Sequence, residues 1–332
     1  MEALSEMKMI NWAVVGVLIL FPLFVINRIE TDTQRRVLLT ELRYDAALDT
    51  AVDDAARALL ITADQQQEAR YESVKQVRVN KEEAIDTFYR TLYMNFGIAE
   101  DTVAQGVLRR YIPAIIVMDY DGFWVYAEEE FRNAAGETEI RPVWGVKKPY
   151  AYADGQRNSL SFTLDDYVLA YEAESGTWRE GFRSEIQVEN TIPLLRDAAL
   201  FEQVRRRTIV DAIQNELANR INRHNQYVSR YGISYTFTLP TISAEEWNNT
   251  IDDIGVMAFV QGIPMGSKTY NNYALGGSRV LKKPAIIGAV KDGRKVYYRD
   301  TCDYTYLVEE MFASEKEAAR NGYWPLECSN NH

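Results

Sequence analysis

An uncharged run of 18 residues near the N-terminus is the feature that most limits what this chain can be. Residues 9–26 read MINWAVVGVLILFPLFVI, with Lys8 before the run and Arg28 shortly after it. About 20 apolar residues are needed to cross the hydrocarbon of a bilayer, so the run is just long enough for a transmembrane helix. The sequence therefore predicts a membrane anchor over residues 1–27, with membrane lipid as a partner.

Two other interpretations of this run stay open. A cleaved secretory signal usually has a positive leader, a shorter apolar region and a small-x-small cleavage site, and the leader here carries Lys8 against Glu2 and Glu6. A buried core helix is the second alternative. An uncleaved anchor would make the chain a single-pass protein of the cell membrane.

Two features of the sequence predict opposite orientations for such an anchor. Arg28, Arg35 and Arg36 favour a cytoplasmic domain under the positive-inside rule, which weakens when a long domain follows the helix. Cys302 and Cys328 favour an oxidising, external compartment. We expect the large domain to be extracellular.

A long helical pattern follows the uncharged run. Residues 33–62 contain neither Pro nor Gly, and their apolar side chains recur at i, i+3 and i+4. Ala47, Ala51 and Ala55 lie four residues apart, a spacing that lets another helix approach closely. These alanines are predicted to contact either the chain's own domain or related helices of an assembly. Further helices are predicted over residues 67–95 and 101–111, so residues 28–111 form a helical stalk.

The remainder of the chain predicts an α+β fold with a mostly antiparallel sheet, because strand runs and one long helix follow the helical stalk. A globular domain is expected over residues 112–291, and a C-terminal hairpin-plus-helix clasp over 292–332. The predicted features are a hairpin turning at Asp119–Gly122, strands over 142–151, 159–163 and 167–172, a helix over 194–231, strands in SYTFTLP and VMAFVQGIPM, a capping box from Ser243 to Glu246, and a hairpin at Asp292-Gly293.

The charge balance argues against a nucleic-acid partner. The net charge is −11, and binding phosphates requires a surplus of Lys and Arg. The run Arg205-Arg206-Arg207 is too short to change this and is predicted to lie on the solvated face of a helix.

Catalytic chemistry is not predicted. The chain has two histidines, His224 and His332; His224 is expected on the polar side of its helix, and neither has a Ser or Cys nucleophile nearby in sequence. No metal motif is present, and the carboxylates of DYDG at Asp119–Gly122 fit a hairpin better than a calcium loop. The segment GSKTYNNYALGGSR is interpreted as a surface loop. We therefore expect no enzyme activity, cofactor or metal.

The two cysteines flank a terminal segment of the chain. Cys302 and Cys328 are predicted to form a disulfide, which would contribute about 3 kcal/mol for a loop of this length. The alternative is two buried free thiols in a cytoplasmic protein.

The C-terminal segment VYYRDTC…FASEKEAARNGYWPLEC resembles the small metal-binding module of the DNA-repair protein Ada. The matching positions are Phe312, Ser314, Glu317, Ala318, Gly322, Tyr323 and Pro325. Leu326 stands where the module has a Cys after Pro, and Cys328 falls one residue short of its last ligand. The resemblance implies a shared local fold with Cys302–Cys328 as a covalent clasp in place of a metal.

The first 60 residues resemble pseudopilin-like proteins of tight-adherence (Tad) pilus systems. A short polar leader, one apolar span and the Ala- and Asp-rich run RRVLLTELRYDAALDTAVDDAARALL carry that resemblance, although the Gly at which prepilins are cut is missing. It implies a structural or accessory subunit of a pilus-like or secretion-type surface assembly, contacting itself or other subunits through its N-terminal helices.

Two alternative functions remain. An external ligand-binding or sensor protein would also place an α/β domain on long helices, although only about eight residues precede the apolar run, too few for a signalling domain. A membrane-anchored hydrolase would require clustered catalytic residues that the sequence does not display.

Overall fold

The computed structural model describes residues 2–60, 73, 75, 77–133, 135–188, 190–266, 268–278, 286–299, 302, 304–312 and 315–326. In the first helix, side chains are described at positions 17 and 21 and from position 24 onward; the side chain at position 317 is not described.

Helices dominate the first part of the chain, and strands alternate with helices afterwards. The helices are α1 (Glu2–Ala58), α2 (Lys81–Phe96), α3 (Thr102–Arg109), α4 (Arg183–Ile186), α5 (Pro193–Arg196), α6 (Ala198–Val228), α7 (Ala244–Thr250) and α8 (Glu315–Arg320). The strands are β1 (Ile115–Asp119), β2 (Gly122–Arg132), β3 (Thr138–Trp144), β4 (Tyr150–Ala153), β5 (Ser159–Phe162), β6 (Tyr167–Glu172), β7 (Thr177–Phe182), β8 (Ile254–Met265), β9 (Lys268–Ser278), β10 (Ile286–Lys291), β11 (Arg294–Arg299), β12 (Val308–Phe312) and β13 (Trp324–Pro325).

The strands form three sheets. The central sheet has the order β3-β2-β1-β8-β9, the second β4-β5-β6-β7 and the third β12-β10-β11-β13. All pairings are antiparallel except that of β11 with β13. The predicted α+β class with mostly antiparallel strands is confirmed.

Both faces of the central sheet are covered, one by helix α2 and the other by the second sheet. Successive side chains of a strand point to opposite faces, and β2 shows this alternation. Tyr126 meets Tyr89 of α2 edge-on, with ring centroids 6.4 Å apart, whereas Phe123 stacks on Tyr150, which begins β4 of the second sheet. Every residue of β1 is buried, as expected for a strand with both faces covered.

Helix α1 crosses the edge of the central sheet through its last four turns. Leu48, Ala51, Val52 and Ala55 are fully buried there. A Cβ added to Gly276 of β9 would lie 2.9 Å from the Val52 carbonyl oxygen, so the absence of a side chain at this position lets the helix backbone approach the strand. The last turns of α1 are therefore part of the main hydrophobic core, as is the buried face of α2, although both were predicted to belong to a stalk.

The prediction of a membrane anchor over residues 1–27, and with it the single-pass location, is wrong. Among the residues that the structure describes, no helix has an apolar stretch long enough to cross a bilayer. Residues 9–26 lie inside α1, which continues unbroken to Ala58. The uncharged run has 18 residues, among them Asn11 and Pro22, and it stands at the lower limit of the length that a span requires.

Three local predictions also differ from the structure. The segment read as a loop, GSKTYNNYALGGSR, contains strand β9, which pairs with β8 along its whole length. The predicted strand SYTFTLP is irregular, although Phe237 is buried and its backbone bonds to the Asn225 side chain. Part of the helix expected over residues 67–95 lies outside the described residues. Helix α2 begins at Lys81, where the Asn80 side chain caps it by accepting from the Glu83 amide.

The third sheet has a small core of its own. Phe312 and Tyr323 meet with ring centroids 5.0 Å apart, and Ala318 is fully buried beside them. The predicted hairpin at Asp292-Gly293 is present, but its first strand, β10, starts at Ile286. This unit therefore includes residues that the sequence assigned to the preceding domain.

Candidate functional site

The most distinctive surface is the part of α1 that extends beyond the globular core. From position 26 to position 36 every residue is exposed, and contact with the core begins at Val37, which lies 3.9 Å from the position of a Cβ on Gly266. At 1.5 Å per residue, residues 2–36 form a helical extension about 50 Å long. We call residues 2–36 the projecting segment.

The base of the projecting segment is fixed by a cluster of polar and aromatic contacts. Asp45 accepts hydrogen bonds from the Tyr270 hydroxyl (2.9 Å) and the Asn272 side-chain amide (2.7 Å), both on β9. Tyr44 stacks on Phe96 at 4.5 Å and meets Tyr270 edge-on at 5.3 Å. The direction in which α1 leaves the core is therefore set by β9 on one side and by the end of α2 on the other.

Large apolar side chains are exposed along the projecting segment and the turns that follow it. Phe21 and Phe24 are each 64% exposed and Leu42 is 56% exposed. Among the side chains that the structure describes in this part of α1, the exposed large apolar ones are Val17, Phe21, Phe24, Ile26, Ile29, Leu38, Leu39 and Leu42. A run of exposed apolar side chains of this extent is typical of an interaction surface.

Most of these side chains lie on one line along the helix. Successive positions of this line are separated alternately by four and three residues, the spacing of a helix–helix seam. We call this line the exposed strip. Its members are Val17, Phe21, Phe24, Arg28, Thr31, Arg35, Leu38 and Leu42.

The exposed strip lies on the side of α1 opposite the core. With 3.6 residues per turn, Leu42 and the exposed Asp53 lie within about 20° of one another around the helix axis, whereas buried Ala51 and Ala55 lie roughly 180° away. The strip is therefore accessible to a second helix even where α1 is packed against the sheet.

An acidic row continues the exposed strip over the core. Asp45, Asp49 and Asp53 are four residues apart, and Asp49 and Asp53 are exposed. Partial burial and the neighbouring carboxylates of Asp45 and Asp53 raise the pKa of Asp49. A cation beside this row would relieve that repulsion.

The predicted packing alanines lie inside the chain's own core. Ala47, Ala51 and Ala55 are all buried, and α1 contacts α2, β8 and β9 in this region. Gly276 was missed as a packing residue, because its small size matters only once β9 is known to run beneath the helix.

The arginine run has a different environment from the one predicted. The Arg205 side chain is 3% exposed and donates to Glu202 (2.8 Å), Asp252 (3.0 Å) and the Thr163 carbonyl (3.2 Å). Arg206 joins the same carboxylates, and Arg207 alone is strongly exposed, at 82%. The run therefore ties α6 to the segment after α7 and is not a basic surface patch.

His224 is a buried core residue, although the sequence placed it on a polar face. Its Nε2 lies 3.0 Å from the Arg110 carbonyl, and its ring meets Phe237 edge-on at 4.6 Å. Within the described part of the chain Nδ1 has no hydrogen-bond partner. Burial lowers the pKa of His224 to about 4, so the ring is neutral at physiological pH. His332 lies outside the described residues.

The carboxylates of DYDG are held by a lysine. Asp119 accepts from Lys147 Nζ at 2.6 Å, and Asp121 is bound by the same amine. The predicted hairpin is confirmed, with Asp119 opposite Gly122. In the described ranges no group of three or more His, Cys, Asp or Glu residues is arranged to hold a metal ion.

The disulfide stays a prediction. Cys302 is buried beside Tyr298 and Ile287 in the third sheet, whereas Cys328 lies outside the described residues. Ser314, one of the residues that resemble the Ada module, also lies outside them.

Comparison of the chain with protein-family models, with curated proteins and with solved structures finds no match.

Proposed function

We propose that this chain is a structural subunit of a multi-copy, pilus-like assembly in which the exposed strip of α1 makes the contacts between subunits. One observation carries the proposal: the projecting segment exposes a line of large apolar side chains at seam spacing, on the helix face away from the core. Burying such side chains on a second helix is favourable by about 25 cal/mol for each Å² removed from water.

The polar residues of the exposed strip are compatible with helix–helix contact. The Thr31 hydroxyl donates to the Asn27 carbonyl at 2.8 Å, so its donor is already satisfied within α1. In the part of the chain that the structure describes, Arg28 and Arg35 have no carboxylate within ion-pair distance. Both guanidinium groups are therefore available to a partner.

The attachment of α1 supports a load-bearing role for the helix. Its C-terminal turns are buried in the main core, and its exit is bonded to β9 through Asp45. Force applied to the projecting segment is therefore transmitted to the central sheet through packed side chains as well as through the backbone.

Self-association of a strip variant tests the proposal. Changing Leu38 and Leu42 together to Ser should weaken self-association of the full chain about 10- to 100-fold, because two apolar contacts are lost from the seam. Sedimentation velocity measures the effect. A matched control changes Val103 and Val146, which are exposed on the globular part, to Ser.

Both double variants should keep the wild-type melting temperature, since all four side chains are exposed. Equal weakening in the control, or unchanged association in the Leu38/Leu42 variant, would refute the exposed strip as the contact surface.

A further inference from the structure

The charge order along α1 indicates how two copies of the chain pack together. The exposed strip has apolar side chains at both ends and two arginines between them, and the acidic row follows it toward the core. A helix that carries Arg in one segment and Asp in a later segment of the same face complements a displaced copy of itself.

We infer that neighbouring α1 helices pack in parallel along the exposed strip, with one copy displaced by 21 residues, so that residue i faces residue i+21. This inference rests on the proposed function. The displacement is three heptads, the repeat of a helix–helix seam, and it corresponds to about 31 Å along the helix.

At two positions this register sets an apolar side chain against an apolar side chain. Val17 faces Leu38, Phe21 faces Leu42, and all four side chains are exposed in the single chain. Phe24 faces Asp45, whose carboxylate is already bonded to Tyr270 and Asn272 and is turned toward the sheet.

The same register pairs opposite charges. Arg28 faces Asp49. Arg35 lies opposite the buried Ala56 and within one turn of Asp53; the two arginines and the two aspartates are exposed. Burial first, and then the neighbouring carboxylates of Asp45 and Asp53, raise the pKa of Asp49 in the single chain. Two arginines from the next copy offset most of the charge of that row.

Other whole-heptad registers are unfavourable. Without displacement, Arg28 faces Arg28 and Asp49 faces Asp49. A shift of 7 residues places Arg28 against Arg35, and a shift of 14 places Phe21 against Arg35. A shift of 28 places Phe21 against Asp49. In each of these registers like charges meet or Phe21 meets a charge. At a displacement of 21 residues Phe21 meets Leu42, and the one Phe–Asp contact is that of Phe24 with Asp45, whose carboxylate is bonded to Tyr270 and Asn272.

The displaced register has a consequence for the form of the assembly. The contact uses residues 17–35 of one copy and residues 38–56 of the next, which are different surfaces. Such a head-to-tail contact leaves one unused surface at each end and continues into an open filament.

Charge reversal with rescue tests the register. Arg28→Glu and Asp49→Lys should each weaken self-association of the full chain about tenfold, because a surface ion pair becomes a repulsion. The double variant carrying both changes should recover most of the wild-type association. The matched control is Arg36→Glu, an equal charge change on an exposed residue about 100° from Arg35 around the helix, which should have little effect.

Directed cross-linking tests the same register independently. A mixture of an Arg28→Cys chain and an Asp49→Cys chain should yield a 28–49 cross-link between copies, identified by peptide mass mapping.

Persistent self-association without charge rescue, a 28–28 cross-link or a closed dimer would overturn the register while leaving the proposed function intact. An antiparallel pair, in which Val17 meets Leu42 and Phe21 meets Leu38, would produce that closed dimer. A chain that stays monomeric at every concentration would overturn both.

Discussion

His224 shows how burial sets the chemistry of a single residue in this chain. Its ring is fully buried, and its pKa falls from about 6.5 in the unfolded chain to about 4 in the folded protein. As the pH decreases through this interval the unfolded chain binds a proton that the folded protein does not. The titration of His224 therefore leaves the free energy of unfolding unchanged above about pH 6.5 and decreases it as the pH falls from 6.5 toward 4.

The free energy of unfolding should fall between pH 7 and pH 5, by up to about 1.4 kcal/mol for each pH unit below 6.5. Urea unfolding at several pH values measures it. His224→Gln keeps a donor for the Arg110 carbonyl and removes the titration, so its slope in this range should be shallower. Equal slopes for the two proteins would contradict the assignment.

Arg205 and Arg207 allow the loss of a buried charge to be compared with the loss of a solvated charge on the same helix. Arg205→Ala should lower the free energy of unfolding by about 3 kcal/mol, because it leaves Glu202, Asp252 and the Thr163 carbonyl without their buried donor. Arg207→Ala should change it by less than about 0.5 kcal/mol. Denaturant unfolding compares the two; similar losses would show that Arg205 is not the structural member of the run.

At the scale of elements, local signals predicted the hairpins and the long helices well. Asp-Gly turns marked β1–β2 and β10–β11, and the Ser243–Glu246 capping box begins α7 as predicted. Strand β9 was missed because its glycines and asparagines are typical of loops. Helix α1 packs on β9, and Gly276 lets the helix backbone approach the strand closely. Tertiary packing therefore overrides the local loop signal.

A substitution in the Ala-rich turns of α1 tests whether this helix packs on the chain's own core. Ala51→Leu should lower the free energy of unfolding by about 1–3 kcal/mol, because the added side chain overfills a fully buried site against the sheet and α2. Ala46→Leu, at an exposed position of the same helix, should be nearly neutral because both residues are good helix formers. Thermal unfolding at a low protein concentration measures both.

A neutral Ala51→Leu would show that this face of α1 is not packed against its own domain. The sequence left this choice open, because an alanine repeat fits a contact within the chain as well as one between chains.

At the scale of the whole molecule, helix α1 has one face that packs on the core and an exposed strip on the opposite face. The sequence displayed the apolar run and the charge order, but it could not show which face the core would cover. The uncharged run drew the prediction toward a membrane anchor. The face that stays exposed is defined by β8, β9 and α2, whose packing on α1 is a property of the fold.

The size of the full-length chain in solution as a function of concentration tests the central claim most directly. Sedimentation velocity over a wide concentration range should show species that grow continuously beyond the dimer, because head-to-tail contacts along the exposed strip do not close. A single sedimenting species with the mass of one chain, 38.1 kDa, at every concentration would contradict the account.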